Sequence, residues 1–515
     1  MTEAGSDVKG DRGVPRGAGA ALFALSLALH AAAYGPFLDN GFTFDDTKIV
    51  VSGPEVNGSL PLSSAFARPY FPRAQDATGV AYRPVTLVSL GLDVRLFGLS
   101  PRAIHAANVL WAALGTSLLA LAWAAVGGGL PAASAGVVLA SLHPVRSEAV
   151  LSAVGRSELL ALAFAAGALL LARRSLREGR ALPGALSGLL LLLALGSKES
   201  AFAAPLLLAL LLALDPSTRA GAAQGWVLRL RPLLPVALSW SLAFAIAFAA
   251  RHAVLGGFLT GPAAVVDPMD NPLAPLGVRG RVVGAAALLP LAATRLGAPA
   301  TLAADYGSNA LEEVLARPLP WALSGAVALA GLVLLSCLLA RRQPPVALAL
   351  LWAVSAYLPF ANILFPTGVV FAERILFLPS TCFALAGGGA VAAMAAAARA
   401  SGPALRRAGP TAAGLLLVLL GVAGFLRIVR RAPEWVDDRA LFSAVARDLP
   451  GNGRAFFNLG LLSLSEGNAP RARAELAAAL AADSRFRPRV ALLLDHANRL
   501  GRPDLAAAIR AALGP

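Results

Sequence analysis

The chain has 515 residues, of which 57% are hydrophobic and only 14% are charged, and long apolar stretches recur throughout its length. This composition excludes a soluble enzyme fold and predicts an integral membrane protein. The net charge of +15 does not indicate nucleic-acid binding, because the arginines cluster at the ends of apolar segments, where they set topology and contact lipid phosphate. The two cysteines, Cys337 and Cys382, lie inside apolar segments and indicate neither a disulfide framework nor a metal site.

The polar N-terminal tail, residues 1–16, precedes an apolar segment at residues 18–34. We interpret that segment as an uncleaved first helix with its basic end in the cytoplasm, and a cleaved signal peptide is the alternative. The helix then delivers Asp45 and Asp46 to the outside. Charges in lipid cost roughly 2.5 to 3.5 kcal/mol each at a helix centre, so this pair must lie at the membrane face or in a polar cavity.

A long loop rich in Pro, Gly and Ser follows at residues 37–100. Within it, residues 85–97 are apolar but include Asp93 and Arg95. Because of these two charges, the stretch is predicted to be an interfacial helix rather than a membrane span.

The remaining apolar segments predict ten further spans, with basic loops on alternate sides. These spans are residues 102–126, the segment from the turn at 127–131 up to 142, 158–173, 182–196, 201–214, 233–254, 318–340, 345–360, 375–397 and 411–428. Residues 280–297 are also apolar, but a span there would place Arg341 and Arg342 outside. We therefore predict that residues 252–317 form an external segment with a re-entrant or interfacial helix.

The last 80 or so residues, 432–515, have a different pattern and are predicted to form a helical module outside the membrane. The spacing of Phe456, Gly460, Ala472 and Leu476 is typical of one tetratricopeptide helix pair, and a weaker echo follows. An ordinary amphipathic hairpin is the alternative. One or two repeats cannot cover their own apolar faces, so the module should pack on the membrane domain or on a partner protein.

Polar clusters from separate stretches share the predicted outer side with the aspartate pair. They contain Arg83, His143, Glu148, Arg156, Lys198, Glu199, Glu373 and Arg374. Each alone fits a helix cap, a snorkelling arginine or a surface ion pair. Acids and bases brought together at one face of a polytopic protein indicate a catalytic or transport site.

The order of these motifs along the chain resembles that of one known family. The motifs are Phe44-Asp45-Asp46, Tyr82-Arg83-Pro84, His143-Pro144 with Glu148-Ala149-Val150, Val154-Gly155-Arg156 with Glu158, Ser197-Lys198-Glu199, Ala372-Glu373-Arg374 with Phe377-Leu378-Pro379-Ser380, and Glu434-Trp435 with Asp437-Asp438 before the repeat. In this order they are similar to those of the transmembrane and tetratricopeptide repeat-containing protein O-mannosyltransferases, which are GT-C-type glycosyltransferases. The resemblance covers nearly the whole chain and is specific as a set.

Two departures from the family pattern bear on substrate and source. The repeat array is very short, whereas the animal relatives carry many repeats. The Ala-, Leu- and Arg-rich composition indicates a bacterial member, so the sugar and the acceptor need not be those of the animal proteins.

The sequence therefore predicts an all-α, GT-C-like bundle of about 11 transmembrane helices at residues 17–431 and a tetratricopeptide-like module at 432–515. The protein is expected in a bacterial inner membrane, with the active face and the C-terminal module periplasmic. The resemblance implies transfer of mannose or another hexose, with inversion, from a polyprenyl- or dolichyl-phosphate carrier to a hydroxyl, such as Ser or Thr of an exported protein.

A hydroxyl nucleophile needs a base within hydrogen-bond reach, a role open to Asp45 or Asp46, and position in the family motif favours Asp45. Cationic side chains lower the barrier to departure of the lipid phosphate. The residues expected to bind this phosphate are Arg83, His143, Arg156, Lys198 and Arg374.

Glu148, Glu199 and Glu373 are expected to orient these cations, because an unpaired positive cluster at a lipid interface is costly. His143 could instead cap a helix next to Pro144. No Asp-x-Asp metal pattern accompanies the clusters, so neither a metal nor another cofactor is predicted.

Two other functions remain open from the sequence. A transporter or flippase of lipid or polysaccharide would use the same charges, but its expected inverted repeats of the clusters are not seen between the two halves. A non-catalytic assembly protein would bind a protein partner through the C-terminal module, but it needs neither eleven spans nor aligned acids and bases.

Overall fold

The computed structural model of the protein describes residues 15, 17–71, 81–215, 233–257 and 266–514. Within these ranges the chain forms helices and the turns that join them, with no strand, so the predicted all-α class is confirmed. Apart from Pro15, the predicted N-terminal tail lies outside the described residues.

The membrane part consists of helices that begin and end close to the predicted apolar segments. They are α1 (Ala18–Tyr34), α2 (Pro84–Phe97), α3 (Pro101–Trp123), α4 (Leu130–Ser141), α5 (Arg156–Glu178), α6 (Ala181–Leu195), α7 (Ala204–Leu214), α8 (Leu233–Leu255), α9 (Val278–Gly297), α10 (Pro318–Arg342), α11 (Pro344–Tyr357), α12 (Phe377–Arg399) and α13 (Pro403–Arg431). Many have proline in the first turn, where its missing N–H leaves no hydrogen bond unmade.

Among the described residues, seven helices are long and apolar enough to cross a membrane: α1, α3, α5, α8, α10, α12 and α13. Four shorter apolar helices, α4, α6, α7 and α11, complete the eleven predicted segments. A hydrocarbon core about 30 Å thick needs about 20 helical residues, so these four are too short to cross it as helices alone.

Both ends of helix α9 lie at the same end of the bundle, and the helix packs against α10. Near its start, Arg281 donates to the carbonyl oxygen of Ile363 (3.3 Å), and near its end the carbonyl of Leu296 lies 2.9 Å from Nε2 of His143. Ile363 and His143 both belong to loops at the same end of the bundle. This geometry supports the interfacial helix expected in the external segment, of which residues 258–265 lie outside the described ranges.

The loops that carry the polar motifs all lie at one end of the bundle, here called the site end. They follow α1, α4, α6, α11 and α13, because the bundle helices other than α2 and α9 alternate in direction and every second connection returns to this end. Close helix packing holds two of these loops together: a Cβ on Gly388 of α12 would lie 2.2 Å from the backbone nitrogen of Gly136 in α4. Small residues at such crossings let membrane helices approach closely.

The C-terminal part consists of five helices. They are α14 (Asp438–Asp448), α15 (Gly453–Ser465), α16 (Ala469–Ala482), α17 (Arg487–Arg499) and α18 (Pro503–Leu513). The pair α15–α16 coincides with the predicted tetratricopeptide pair, and Gly460 makes room for Leu476, whose Cδ2 would lie 2.6 Å from a Cβ at that position. The pair α17–α18 coincides with the weaker echo.

The C-terminal helices pack directly on the membrane part. Trp435, Phe442 and Leu459 belong to the same buried hydrophobic cluster as the bundle helices. Ion pairs from Arg454 to Asp270 and from Arg489 to Asp267 cross the same boundary. Of the two arrangements expected from the sequence, the structure shows packing on the membrane domain.

Candidate active site

A cavity of about 630 Å³ lies at the site end, lined by both the membrane part and the C-terminal helices. Its wall comes from the loop after α1, the turns before α2 and α7, the end of α8, residues of the 266–305 and 360–375 loops, and α15 and α17. Charged side chains and aromatic rings both line it, so it can hold a ligand with polar and apolar parts.

Half of the ten residues predicted for the site line this cavity. Those that line it are Asp45, Arg83, Lys198, Glu199 and Arg374. Those that do not are Asp46, His143, Glu148, Arg156 and Glu373. Of the second group, Glu148 pairs with a cation of the cavity wall, and the others form contacts elsewhere in the fold.

Asp45 is half-buried at the cavity wall, and its carboxylate has no hydrogen bond to any residue that the structure describes. Its charge lies within electrostatic reach of Arg374 and Arg454. A carboxylate that faces a cavity and can still accept a proton has what a general base requires.

Asp46 points the other way, into the protein, and is fully buried. Its carboxylate accepts hydrogen bonds from the Ser152 hydroxyl (2.9 Å) and from the backbone N–H groups of Ala153 (3.0 Å) and Val154 (2.8 Å). Burial raises the pKa of Asp46 to about 6, although these hydrogen bonds oppose the shift. The structure therefore places Asp46, predicted as a catalytic residue, outside the cavity, where it joins the first loop to the turn before α5.

Arg156 is also placed away from the cavity, and its side chain is 0% exposed. Its guanidinium donates to Asn108 Oδ1 (2.6 Å), Asp93 Oδ2 (2.7 Å) and the carbonyl of Ile104 (2.9 Å). As the first residue of α5 it faces α2 and α3, so it braces these helices. Arg156, which the sequence predicted to bind donor phosphate, does not line the cavity.

His143 behaves as the helix cap that the sequence left open. Its Nδ1 accepts from the backbone N–H of Val145 (3.3 Å), and its Nε2 faces the carbonyl of Leu296 (2.9 Å). Burial lowers the pKa of His143 to about 4, so the ring is neutral at neutral pH. With both nitrogens engaged, His143 holds α9 against the bundle, and it does not line the cavity.

Two of the three predicted orienting carboxylates hold cavity cations. Glu148 accepts from Nη1 of Arg374 (2.6 Å) and from its backbone N–H (2.7 Å). Glu199 binds Arg83 through one oxygen (2.9 Å) and Arg251 through the other (3.0 Å). Each carboxylate thereby fixes the direction of a guanidinium at the cavity wall.

Neighbours in sequence are not partners in space. Lys198 pairs with Glu158 of α5 (2.7 Å) rather than with Glu199 beside it. Glu373 binds Arg431 at the end of α13 (2.8 Å) and accepts from the Tyr306 hydroxyl (2.7 Å) rather than orienting the adjacent Arg374. Glu373, predicted to orient a cavity cation, instead ties α13 to the loop after α9.

Four cations form one wall of the cavity, here called the cationic wall: Arg83, Lys198, Arg251 and Arg374. Glu148, Glu158 and Glu199 each pair with one or two of these cations, and the charges of Asp45 and Asp305 also act on Arg374. Burial lowers the pKa of Lys198 to about 8; Glu158 opposes this shift, and the charges of Arg83 and Arg374 add to it. Cations that repel one another in a buried wall are suited to binding an anion.

Sequence reasoning missed several residues that shape the cavity. Arg251 carried a signal, since an arginine inside an apolar helix indicates a functional site. Glu158 stood in a quoted motif but received no role. Arg454 and Arg489 had no such signal, because only the docking of the C-terminal helices brings them to the wall.

The fold and this cavity define an integral membrane protein of helices with a charged site at one end. The chain is 26% identical to a Caenorhabditis elegans protein, Protein O-mannosyl-transferase F38B6.6, over 84% of its own length and 59% of that protein. It is 26% identical to human Protein O-mannosyl-transferase TMTC1 over 86% of its own length and 52% of the relative. For mouse Protein O-mannosyl-transferase TMTC3 the identity is 24%, over 70% of this chain and 41% of the relative.

These comparisons confirm the resemblance predicted from the motifs: over most of its length the chain is similar to proteins named protein O-mannosyl-transferase of the TMTC type. It spans about half the length of the curated relatives that it matches. No family model and no solved structure matches the chain.

Proposed function

We propose that the protein is a membrane glycosyltransferase that moves a hexose from a polyprenyl- or dolichyl-phosphate carrier to a hydroxyl group, with inversion. The observation that supports this most is the cavity at the site end, where the Asp45 carboxylate shares the space with the cationic wall. The relatives named as protein O-mannosyl-transferases favour mannose as the sugar and a protein as the acceptor. We propose Ser or Thr of an exported protein as the acceptor residue.

In this proposal Asp45 takes the proton of the acceptor hydroxyl as its oxygen attacks the anomeric carbon. The bond from that carbon to the phosphate oxygen breaks on the opposite face, and negative charge grows on the phosphate. Arg83, Lys198, Arg251 and Arg374 line the cavity and are held in place by carboxylates, so they stabilise that charge with little reorganisation. Arginine offers a planar fork to phosphate oxygens.

The proposed orientation places the site end and the C-terminal helices outside the cytoplasm, in a bacterial inner membrane. The basic loops at the other end of the bundle support it by the positive-inside rule. Neither a metal nor another cofactor is part of the proposal, because the cationic wall supplies the positive charge. Among the described residues, no group of three or more His, Cys, Asp or Glu side chains is placed to hold a metal ion.

The experiment that tests this function uses the purified protein in vesicles with radiolabelled polyprenyl-phosphate mannose and a peptide rich in Ser and Thr. We expect label to appear in the peptide, with the anomeric configuration inverted. Label that crosses the bilayer on its lipid without reaching the peptide would contradict transfer and favour a flippase.

Donor binding is expected to weaken at alkaline pH through Lys198. An ammonium group is charged below its pKa, and burial holds the pKa of Lys198 near 8. Its contribution to phosphate binding is therefore present below that value and lost as the pH rises through it. The KM for the donor should rise about 10-fold between about pH 7 and 9. Lys198→Arg keeps its charge over this range. A KM that rises equally in both forms would show that another group titrates.

A further inference from the structure

The loop that carries Asp45 contains one residue, Phe44, in a backbone conformation that phenylalanine does not favour. Phe44 has a φ of 53°, in the left-handed region that bulky side chains rarely adopt. Among the described residues, the other non-glycine residue with a positive φ is Asn362, and asparagine tolerates the left-handed region. A phenylalanine stays there only if its surroundings hold it.

The surroundings of Phe44 come from the C-terminal part. Its backbone N–H donates to Oδ1 of Asp438, the first residue of α14, at 2.6 Å. Its ring packs edge to face against Phe442, one turn further along the same helix, with ring centroids 5.6 Å apart. One contact fixes the backbone and the other fixes the side chain, so together they determine the turn.

Two further bonds fasten the same loop just before the turn. The N–H of Gly41 donates to the carbonyl of Val436 (2.9 Å), and the side-chain amide of Asn40 donates to the carbonyl of Ala432 (2.9 Å). A side chain at position 41 could not be accommodated, because its Cβ would lie 2.9 Å from the same Val436 oxygen. The loop therefore follows the start of the C-terminal part over five residues, 40–44.

On the other side of Asp45 the chain is held by the membrane part. Asp46 is bound to the 152–154 turn through its carboxylate, as described above. Asp45 thus lies between two anchored residues, one fixed by α14 and one by the turn before α5. Its own carboxylate has no bond to a described residue, so its direction depends on these two anchors.

We propose that Asp438 and Phe442 are positioning residues that hold the Phe44 turn and thereby aim Asp45 into the cavity. This inference rests on the proposed function for its catalytic consequence only. It makes α14 part of the active-site architecture although it contacts no substrate. A change of 1 Å in the position of a reacting group lowers rates by about 100-fold, so the hold of α14 on this turn matters for chemistry.

The first measurement does not depend on the function. Hydrogen exchange of the 41–52 segment is compared between the intact wild-type protein and Asp438→Ala, Asp438→Asn and Asp448→Ala variants. Asp448 lies at the other end of α14, where it pairs with Arg447, and serves as the matched control. We expect exchange about 10-fold faster in Asp438→Ala, from the loss of a charged hydrogen bond. Asp438→Asn keeps an acceptor oxygen and should stay close to wild type. Unchanged exchange in Asp438→Ala would overturn the proposal.

The second measurement is the transferase assay on the same proteins. We expect kcat to fall about 10- to 100-fold in Asp438→Ala, with the KM for the donor nearly unchanged, and to be rescued in Asp438→Asn. In a Phe44→Gly background the loss should be much smaller, because glycine adopts a positive φ without support. Equal losses in both backgrounds would contradict the positioning role. Absence of transfer by the wild-type protein would refute the proposed function. The hydrogen-exchange measurement would still decide whether α14 holds the Phe44 turn.

Discussion

Asp45→Asn is expected to lower kcat for sugar transfer by about 100- to 10,000-fold, the usual contribution of a positioned general base. The amide is nearly the same size but cannot take the proton of the acceptor hydroxyl. Because Asp45 has no hydrogen bond to a described residue, its replacement should leave the fold unchanged. The measurement is the initial rate with labelled polyprenyl-phosphate mannose, together with the melting temperature.

Asp46→Asn provides the contrast. Asp46 holds the 152–154 turn with both oxygens, and an amide can replace only one of them as an acceptor. The melting temperature should therefore fall while a smaller part of the activity is lost. Wild-type rates in Asp45→Asn, with an intact fold, would remove the proposed base.

Arg374→Gln is expected to reduce kcat by about 100- to 1,000-fold, the typical effect of removing one donor to developing negative charge. It also leaves Glu148 buried without its cation, because that side chain is only 3% exposed. Breaking a buried ion pair in this way costs about 3 to 5 kcal/mol of stability. A loss of transfer in the single variant could therefore reflect the fold as well as the chemistry.

The double variant Glu148→Gln with Arg374→Gln separates the two causes. Both charges are removed, and the glutamine introduced at position 148 can still accept from the backbone N–H of residue 374, so the free energy of unfolding should recover in large part. Transfer should stay low, because the phosphate contact is still missing. Rates restored to the wild-type value in the double variant would show that Arg374 acts on stability alone.

The sequence predicted the membrane helices well because their signal is local. Long apolar segments form helices in lipid whatever surrounds them, since every backbone polar group must be bonded within the segment. All eleven segments are helical in the part of the chain that the structure describes. The 280–297 stretch needed an argument about charge on the loops that follow, and its two ends do meet the same end of the bundle.

The site was predicted less completely because a motif does not show which way each side chain points. Asp45 and Asp46 are adjacent, yet one faces the cavity and the other is buried behind it. The pairs Lys198 with Glu199 and Glu373 with Arg374 look like ion pairs in the sequence, but each member binds a residue far away. Such partners depend on how helices pack, which no single stretch of the chain contains.

The hydrophobic cluster that contains Trp435 and Phe442 fixes the distance between the C-terminal helices and the cavity. Many enzymes bind substrates through a domain on a flexible linker, which raises the local concentration of the substrate but does not fix its position. Here the C-terminal helices share a hydrophobic core with the bundle. A molecule bound to these helices would therefore stay at a fixed distance from Asp45. Under the proposed function, an acceptor bound by these helices would be selected by the distance between the part that they bind and the hydroxyl that reacts.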